Sequence, residues 1–132
     1  MKSILDLSWE DIDLLPKDKT ILFMTVAPVE EHGIHLPVGV DIQLGEYWQK
    51  KAIENLCDEY PDYHFLSLPF FSLAAGSMNG FPGCIYIEPK LLRKVMFEVF
   101  KNIHSWGIKY LVVIASHVAP FHYMALERGL II

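Results

Sequence analysis

The segment PVEEHGIHLPVGVD, residues 28–41, concentrates three carboxylates and two imidazoles in fourteen positions. Glu30, Glu31 and Asp41 offer hard oxygen ligands, and His32 and His35 offer borderline nitrogens. That mixture suits a divalent cation such as zinc or manganese. Glu30 and His32 stand two residues apart, so in an extended loop their side chains leave the backbone on the same side. Gly33 permits a sharp turn, and Pro37 and Gly39 fold the chain back toward Asp41. A second polar pair, Ser116 and His117, follows an apolar run far along the chain. From the residues alone two readings stand: a metal shell, or a solvated connector in which Asp41 caps a helix.

The elements that must position these groups alternate. Ser8 has the chemistry of an N-cap for a short acidic helix from Trp9 to Leu15, stopped by Pro16. The run TILFMTVA (20–27) reads as a strand buried on both faces, as in a parallel sheet. After the ionisable loop a helix runs to about Tyr60, with an apolar stripe of Leu44, Trp48, Ile53 and Leu56. YHFLSLP is the second strand, and residues 70–89 form a long loop rich in glycine, proline and aromatic residues, a length that marks function or disorder, with the aromatic content favouring order. Pro89 opens the clearest amphipathic helix, with Leu92, Val95, Met96, Val99, Phe100 and Ile103 at a 3.6-residue period and Gly107 as its stop. IKYLVVIAS (108–116) is the third buried strand, and HVAPFHYMALERG leads into a last helix. The order implies one α/β domain, residues 1–132, with a mostly parallel sheet covered on both faces. In such sheets ligands bind beyond the carboxyl ends of the strands. Both polar clusters fall there, and His117 faces the first loop if the first and third strands are neighbours.

Composition narrows the partners. The net charge of −5 and the lack of a basic run argue against nucleic acid as the main partner. The longest apolar runs fall short of the ~20 residues of a membrane span. Cys57 and Cys84 have neither metal-motif spacing nor a secreted disulfide pattern, and Met1–Leu7 carries charges unlike a signal peptide, so a reducing, cytoplasmic setting is expected. Apolar residues make up 52% of a short chain, more than one small core needs, which points to an oligomer interface or a face meant for another part.

The residues themselves resemble a known family. EEHGIHLPVGVD is similar to the creatininase-family signature E-x-H-G-x-H-L-P-x-G-x-D, matching at Glu30, His32, Gly33, His35, Leu36, Pro37, Gly39 and Asp41. GFPG (80–83) resembles the second signature and SHVAPFHYMALE the third, in the same order. The resemblance implies a three-layer α/β/α fold and a metal-dependent hydrolase of amide carbon–nitrogen bonds, often in cyclic amides. It implies Glu30, His32, Asp41 and His117 as metal ligands, with Asp41 bridging where two ions bind. It implies zinc or manganese as the metal, with iron a further candidate, a small-molecule amide substrate and a homo-oligomer.

The departures from the family are specific. The namesake has a glutamate ligand two positions after the third-signature histidine, where this chain has Ala119. Glu30, Asp41 and His117 then make one site, and a second around His32 is short of ligands. Glu31 stands where the family has glutamine. Glu31 and His35 are the candidate catalytic side chains, either orienting an imidazole or touching substrate, with a solvated carboxylate and a loop anchor as their plainer readings. Cys84 replaces a threonine and reads as a small packed side chain. His64 and His104 read as surface residues, His122 as a neighbour of the site or surface, and Trp48 and Trp106 as core or interface. Family members are longer, so the chain resembles their amino-terminal portion, and a non-catalytic remnant with a metal-binding or assembly role is the alternative reading.

Overall fold

The computed structural model describes residues 2–77 and 80–130 of the 132. Met78 and Asn79 of the long loop, and Ile131 and Ile132 of the last segment, lie outside the described residues. Four strands form one sheet: β1 (Lys2–Ser3), β2 (Thr20–Thr25), β3 (His64–Ser67) and β4 (Tyr110–Ile114). All pair in parallel, in the order β1-β3-β2-β4. The helices are α1 (Trp9–Asp13), α2 (Val40–Glu59), α3 (Pro89–Ser105) and α4 (Pro120–Gly129), and single 3-10 turns cover Ile4–Asp6 and Lys17–Lys19.

Alternation along the strands divides the core in two. Leu22, Met24 and Leu66 point to one face, where α3 and α4 bury Leu92, Met96, Phe100, Ile103, Ala125 and Leu126. Phe23 and Phe65 point to the other, where they meet Ile53 of α2, flanked by Ile21, Leu56 and Ile114. The result is three layers, helix on sheet on helix. The period expected for α3 is the period observed: its buried residues recur at steps of four, four and three. Each such side chain contributes about 2 kcal/mol by leaving water. Pro89 takes the first helical position, where a missing N–H costs nothing.

Three expectations need correction. The apolar stripe of α2 matches the buried face only in its second half, at Ile53 and Leu56. Asp41, Gly45, Gln49 and Ile53 lie against the sheet, whereas Leu44 and Trp48 are 40% and 46% exposed. Gln49 is tolerated there because it accepts the Thr25 hydroxyl hydrogen bond at 2.9 Å. Strand β4 is not buried on both faces. It forms a sheet edge, with Tyr110 49% and Val112 39% exposed. Between it and α2 lies an open apolar groove of about 260 Å³ lined by Ile21, Phe23, Leu56, Tyr60, Phe65 and Val112. Of the two readings of Trp48 and Trp106, core or interface, exposure removes the core one, since Trp106, just past the end of α3, is 37% exposed.

Pairing of β2 with β4 is what matters for the site. The register Thr25↔Ile114 ends both strands at the same level. The loop after β2 and the loop after β4 therefore emerge side by side, as the position of His117 requires.

Candidate metal centre

The loop after β2 is fixed at three points. The Glu30 N–H donates to the Val38 carbonyl at 3.0 Å, closing residues 30–38 into a compact hairpin-like excursion. The Glu31 carboxylate accepts the Gly33 N–H at 2.8 Å, across a turn where Gly33 has φ +72. On its other side Val29 bridges to Ile85, whose N–H reaches the Val29 carbonyl at 2.9 Å, and the Glu31 N–H donates to Cys84 Sγ at 3.3 Å. Cys84 is thus a half-buried packing residue with a defined acceptor role.

Helix α2 starts at Val40, with Gly39 as a cap that makes no side-chain hydrogen bond. Asp41 is therefore not the capping residue. It sits inside the first turn, buried at 6% exposure, and turns its carboxylate to the strand ends. One turn later Gly45 lets the helix approach: a Cβ there would lie 2.3 Å from Thr25 Cγ2 and 2.6 Å from Ser116 Oγ. The Ser116 hydroxyl donates to the Asp41 backbone carbonyl at 2.7 Å, tying the loop after β4 to the same turn.

Those constraints bring three groups together. Potential ligand atoms of Glu30, Asp41 and His117 all lie within 4.8 Å of one another. His117 Nδ1 is 3.2 Å from Glu30 Oε2 and 3.1 Å from Asp41 Oδ2. The other Asp41 oxygen, Oδ1, is 3.1 Å from His32 Nε2. Asp41 therefore stands between two imidazoles, with His32 outside the three-donor cluster. His32 Nδ1 lies 3.0 Å from the Glu30 carbonyl, which must accept its proton, so Nε2 is the nitrogen left to face Asp41. Burial opposes a charge on His32, but the Glu30 carbonyl and the Asp41 carboxylate outweigh it and hold the ring above its ordinary pKa.

The residues present fit a divalent cation. Two carboxylates with oxygens within 4.8 Å repel by roughly 3–4 kcal/mol at an effective dielectric of 20. Among the described residues, the ion pairs of Glu30 and Asp41 are with histidines only. Glu30 Oε2 and His117 Nε2 are buried without a hydrogen-bond partner among the described residues. A cation among two oxygens and an imidazole nitrogen relieves the repulsion with a borderline donor set.

His122, on α4, is fully buried and packs edge-on against His117, with ring centroids 5.3 Å apart. Neither of its nitrogens reaches a partner in hydrogen-bonding geometry, although the Val26 backbone lies near enough to favour the charged ring slightly. Burial first, and then neighbouring His117, hold its pKa down to about 4, so the ring is neutral near pH 7. His35 is exposed and joins none of the cluster's hydrogen bonds. Glu31 braces the loop instead of orienting an imidazole. Ala119 directly precedes α4 and offers no side-chain donor. His64 and His104 are on the surface. Tyr86 had no motif to mark it, yet its phenol oxygen is buried beside Glu30.

A parallel α/β sheet with a carboxylate–imidazole cluster beyond its strand ends defines a class: α/β proteins with a metal-type centre at the strand termini. The chain belongs to the creatininase family, whose model, described as creatinine amidohydrolase, matches residues 5–129. No curated protein matches it. Among solved structures it is similar to a tryptophan-to-phenylalanine variant of creatininase, at 21% identity and a TM-score of 0.80, covering 97% of this chain and 50% of that one. It is also similar to a manganese creatininase (19% identity, TM-score 0.76, 97% and 50% covered). A third is a Zn-Zn glutamate-to-glutamine creatininase variant (18% identity, TM-score 0.73, 98% and 50% covered). At these identities the likeness establishes the fold. The chain spans about half the length of these structures. No helix among the described residues is long and apolar enough to cross a membrane.

Proposed function

We propose that the chain is a metal-dependent amidohydrolase of the creatininase type, acting on a carbon–nitrogen bond of a small, often cyclic, amide. The observation that carries this reading is the Glu30–Asp41–His117 cluster at the junction of β2, β4 and α2. Glu30, Asp41 and His117 would hold the ion, and His32 would stand on the far oxygen of Asp41. A divalent cation in that position supplies Lewis acidity and, by lowering the pKa of water from about 15.7 toward ~7, a hydroxide nucleophile at neutral pH. The chain's own residues do the rest. Asp41 is locked by Ser116 and by the helix, Glu30 by its loop, and His32 by the Glu30 carbonyl, so the donors need little reorganisation. Glu31 keeps the loop in shape, and exposed His35 is available to substrate.

Zinc or manganese is the favoured ion, since relatives of the same fold are described with each. We take residues 1–132 as one domain, working in the cytoplasm as a homo-oligomer. A second reading, a metal-binding remnant without turnover, is favoured by Ala119, which stands where a glutamate ligand is expected.

Metal analysis of the purified protein, with Glu30→Ala and His117→Ala, tests the first reading. One equivalent of zinc or manganese in the parent, lost in both variants, is expected. A parent that takes up no divalent ion overturns both readings. Metal retention without hydrolysis of any cyclic amide favours the remnant.

A further inference from the structure

We propose that Tyr86 is a positioning residue for Glu30, its phenol O–H donating to the Glu30 carboxylate when the cluster holds a divalent cation. The inference rests on the metal-site reading above.

Tyr86 lies in a short extended segment pinned on both sides. The Ile85 N–H donates to Val29 and the Ile87 N–H to Ala74, each at 2.9 Å. Alternation then sends the side chain of residue 86 opposite to those of 85 and 87. Its ring lies directly on the backbone of Gly76, where a Cβ would come within 2.1 Å of the ring carbon Cε1. Only glycine leaves room for the ring there, so the position of the phenol is set by backbone rather than by a yielding side chain.

The phenol oxygen is buried and, among the described residues, has no partner in hydrogen-bonding geometry. The antiparallel Val29–Ile85 bridge and the alternation put the side chains of Glu30, Cys84 and Tyr86 on the same face, and burial together with Glu30 and Cys84 raises the phenol above its usual range. The Cys84 sulfur already accepts the Glu31 N–H. Glu30 Oε2 is buried and without a hydrogen bond as well. A buried donor thus lies on the same face as a carboxylate oxygen whose close contact, His117 Nδ1 at 3.2 Å, falls outside hydrogen-bonding geometry. Ligating carboxylates are commonly held by a hydrogen bond to their remaining lone pairs, and loss of such a partner weakens metal binding by about 10–100-fold. A cation that draws on Glu30 creates the same requirement here, and Tyr86 is the neighbouring donor without another engagement.

The test is Tyr86→Phe, read with Zn²⁺ and Co²⁺ as the probes. Removing an unpartnered hydroxyl should leave the metal-free protein at least as stable as the parent. Zinc affinity by calorimetric titration should fall at least ~10-fold, and the visible absorption bands of the Co²⁺-loaded protein should shift, a change that ring packing alone would not produce. A parent that binds neither ion overturns the site reading and this inference with it. A parent that binds while Tyr86→Phe matches it in affinity and spectrum overturns the inference alone. A variant that fails to fold also overturns it, because the hydroxyl would then have a structural partner.

Discussion

Gly45→Ala sets helix propensity against packing, and the structure decides between them. In an exposed helix the change should stabilise by about 1 kcal/mol. In α2 the new methyl would lie 2.3 Å from Thr25 Cγ2, against the 3.4 Å at which ordinary contact begins, a shortfall of 3.4 − 2.3 = 1.1 Å. Ser116 Oγ, at 2.6 Å, blocks a second direction, and both residues are buried and hydrogen-bonded. Overpacking of this kind costs about 1–3 kcal/mol, and two opposed neighbours place it near the upper end. The net expectation is about 2 kcal/mol of destabilisation. At roughly 2.1 cal/mol/K per residue the unfolding entropy of this chain is about 0.28 kcal/mol/K, so Tm should drop by about 7 °C. The site should suffer too, because Asp41 lies one turn earlier on the same helix. Lifting that turn by about 1 Å breaks the 3.1 Å approaches of Asp41 to His32 and His117, and zinc affinity should fall by at least ~10-fold. Thermal unfolding of the metal-free protein and a zinc titration read the two effects separately. An alanine variant that is more stable with unchanged affinity refutes the packing argument. A lowered Tm with unchanged affinity refutes the coupling of α2 to the site.

Two further predictions concern stability. His122 is held neutral, at about 4 against an ordinary 6.5. Above pH 6.5 its contribution to stability is fully present. As the pH falls the unfolded chain takes the proton first, and stability declines until the native ring protonates near pH 4. With 1.36 kcal/mol per unit, the metal-free protein should lose about 3 kcal/mol across that window from this ring. Denaturant titrations at pH 7 and 4.5 in EDTA should show His122→Phe losing correspondingly less, and parallel losses in parent and variant would rule the assignment out. Leu92→Ala, in the fully buried seam of α3, should cost about 2–5 kcal/mol. It should lower the denaturant midpoint with an unchanged slope, and a loss under 1 kcal/mol would mean the seam can collapse around the gap.

The local grammar of this chain was legible because it depends on neighbours in sequence. Ser8 caps α1, its hydroxyl accepting the Asp11 N–H at 3.1 Å, as its position before an acidic turn required. Pro89 opens α3, and the 3.6-residue period of that helix names its buried face without error. The ionisable loop offered candidate donors, with a metal shell and a solvated connector both open to it, and Glu30 and Asp41 of that stretch join His117 in the cluster. The same logic held for only half of α2, where Ile53 and Leu56 face the sheet. Its apolar stripe suggested Leu44 and Trp48 as core, yet the helix presses Gly45 and Gln49 onto the strand ends, where a small residue permits approach and an amide satisfies Thr25. Hydrophobicity records which side chains avoid water, not which ones a neighbouring strand leaves room for.

What the sequence determined by itself was the alternation of strands and helices and the order of the candidate donors along the chain. Tertiary structure decided the rest. The parallel pairing of β2 with β4 set Glu30 and His117 face to face across 87 residues of chain, and Gly45 let Asp41 close between them. It left β4 at an open edge, which a run of apolar letters cannot reveal. It also brought Tyr86, a residue with no motif around it, to the Glu30 carboxylate. Spacing along a chain fixes geometry only over a few residues, whereas a metal-type site is assembled from loops that only sheet register brings to the same place.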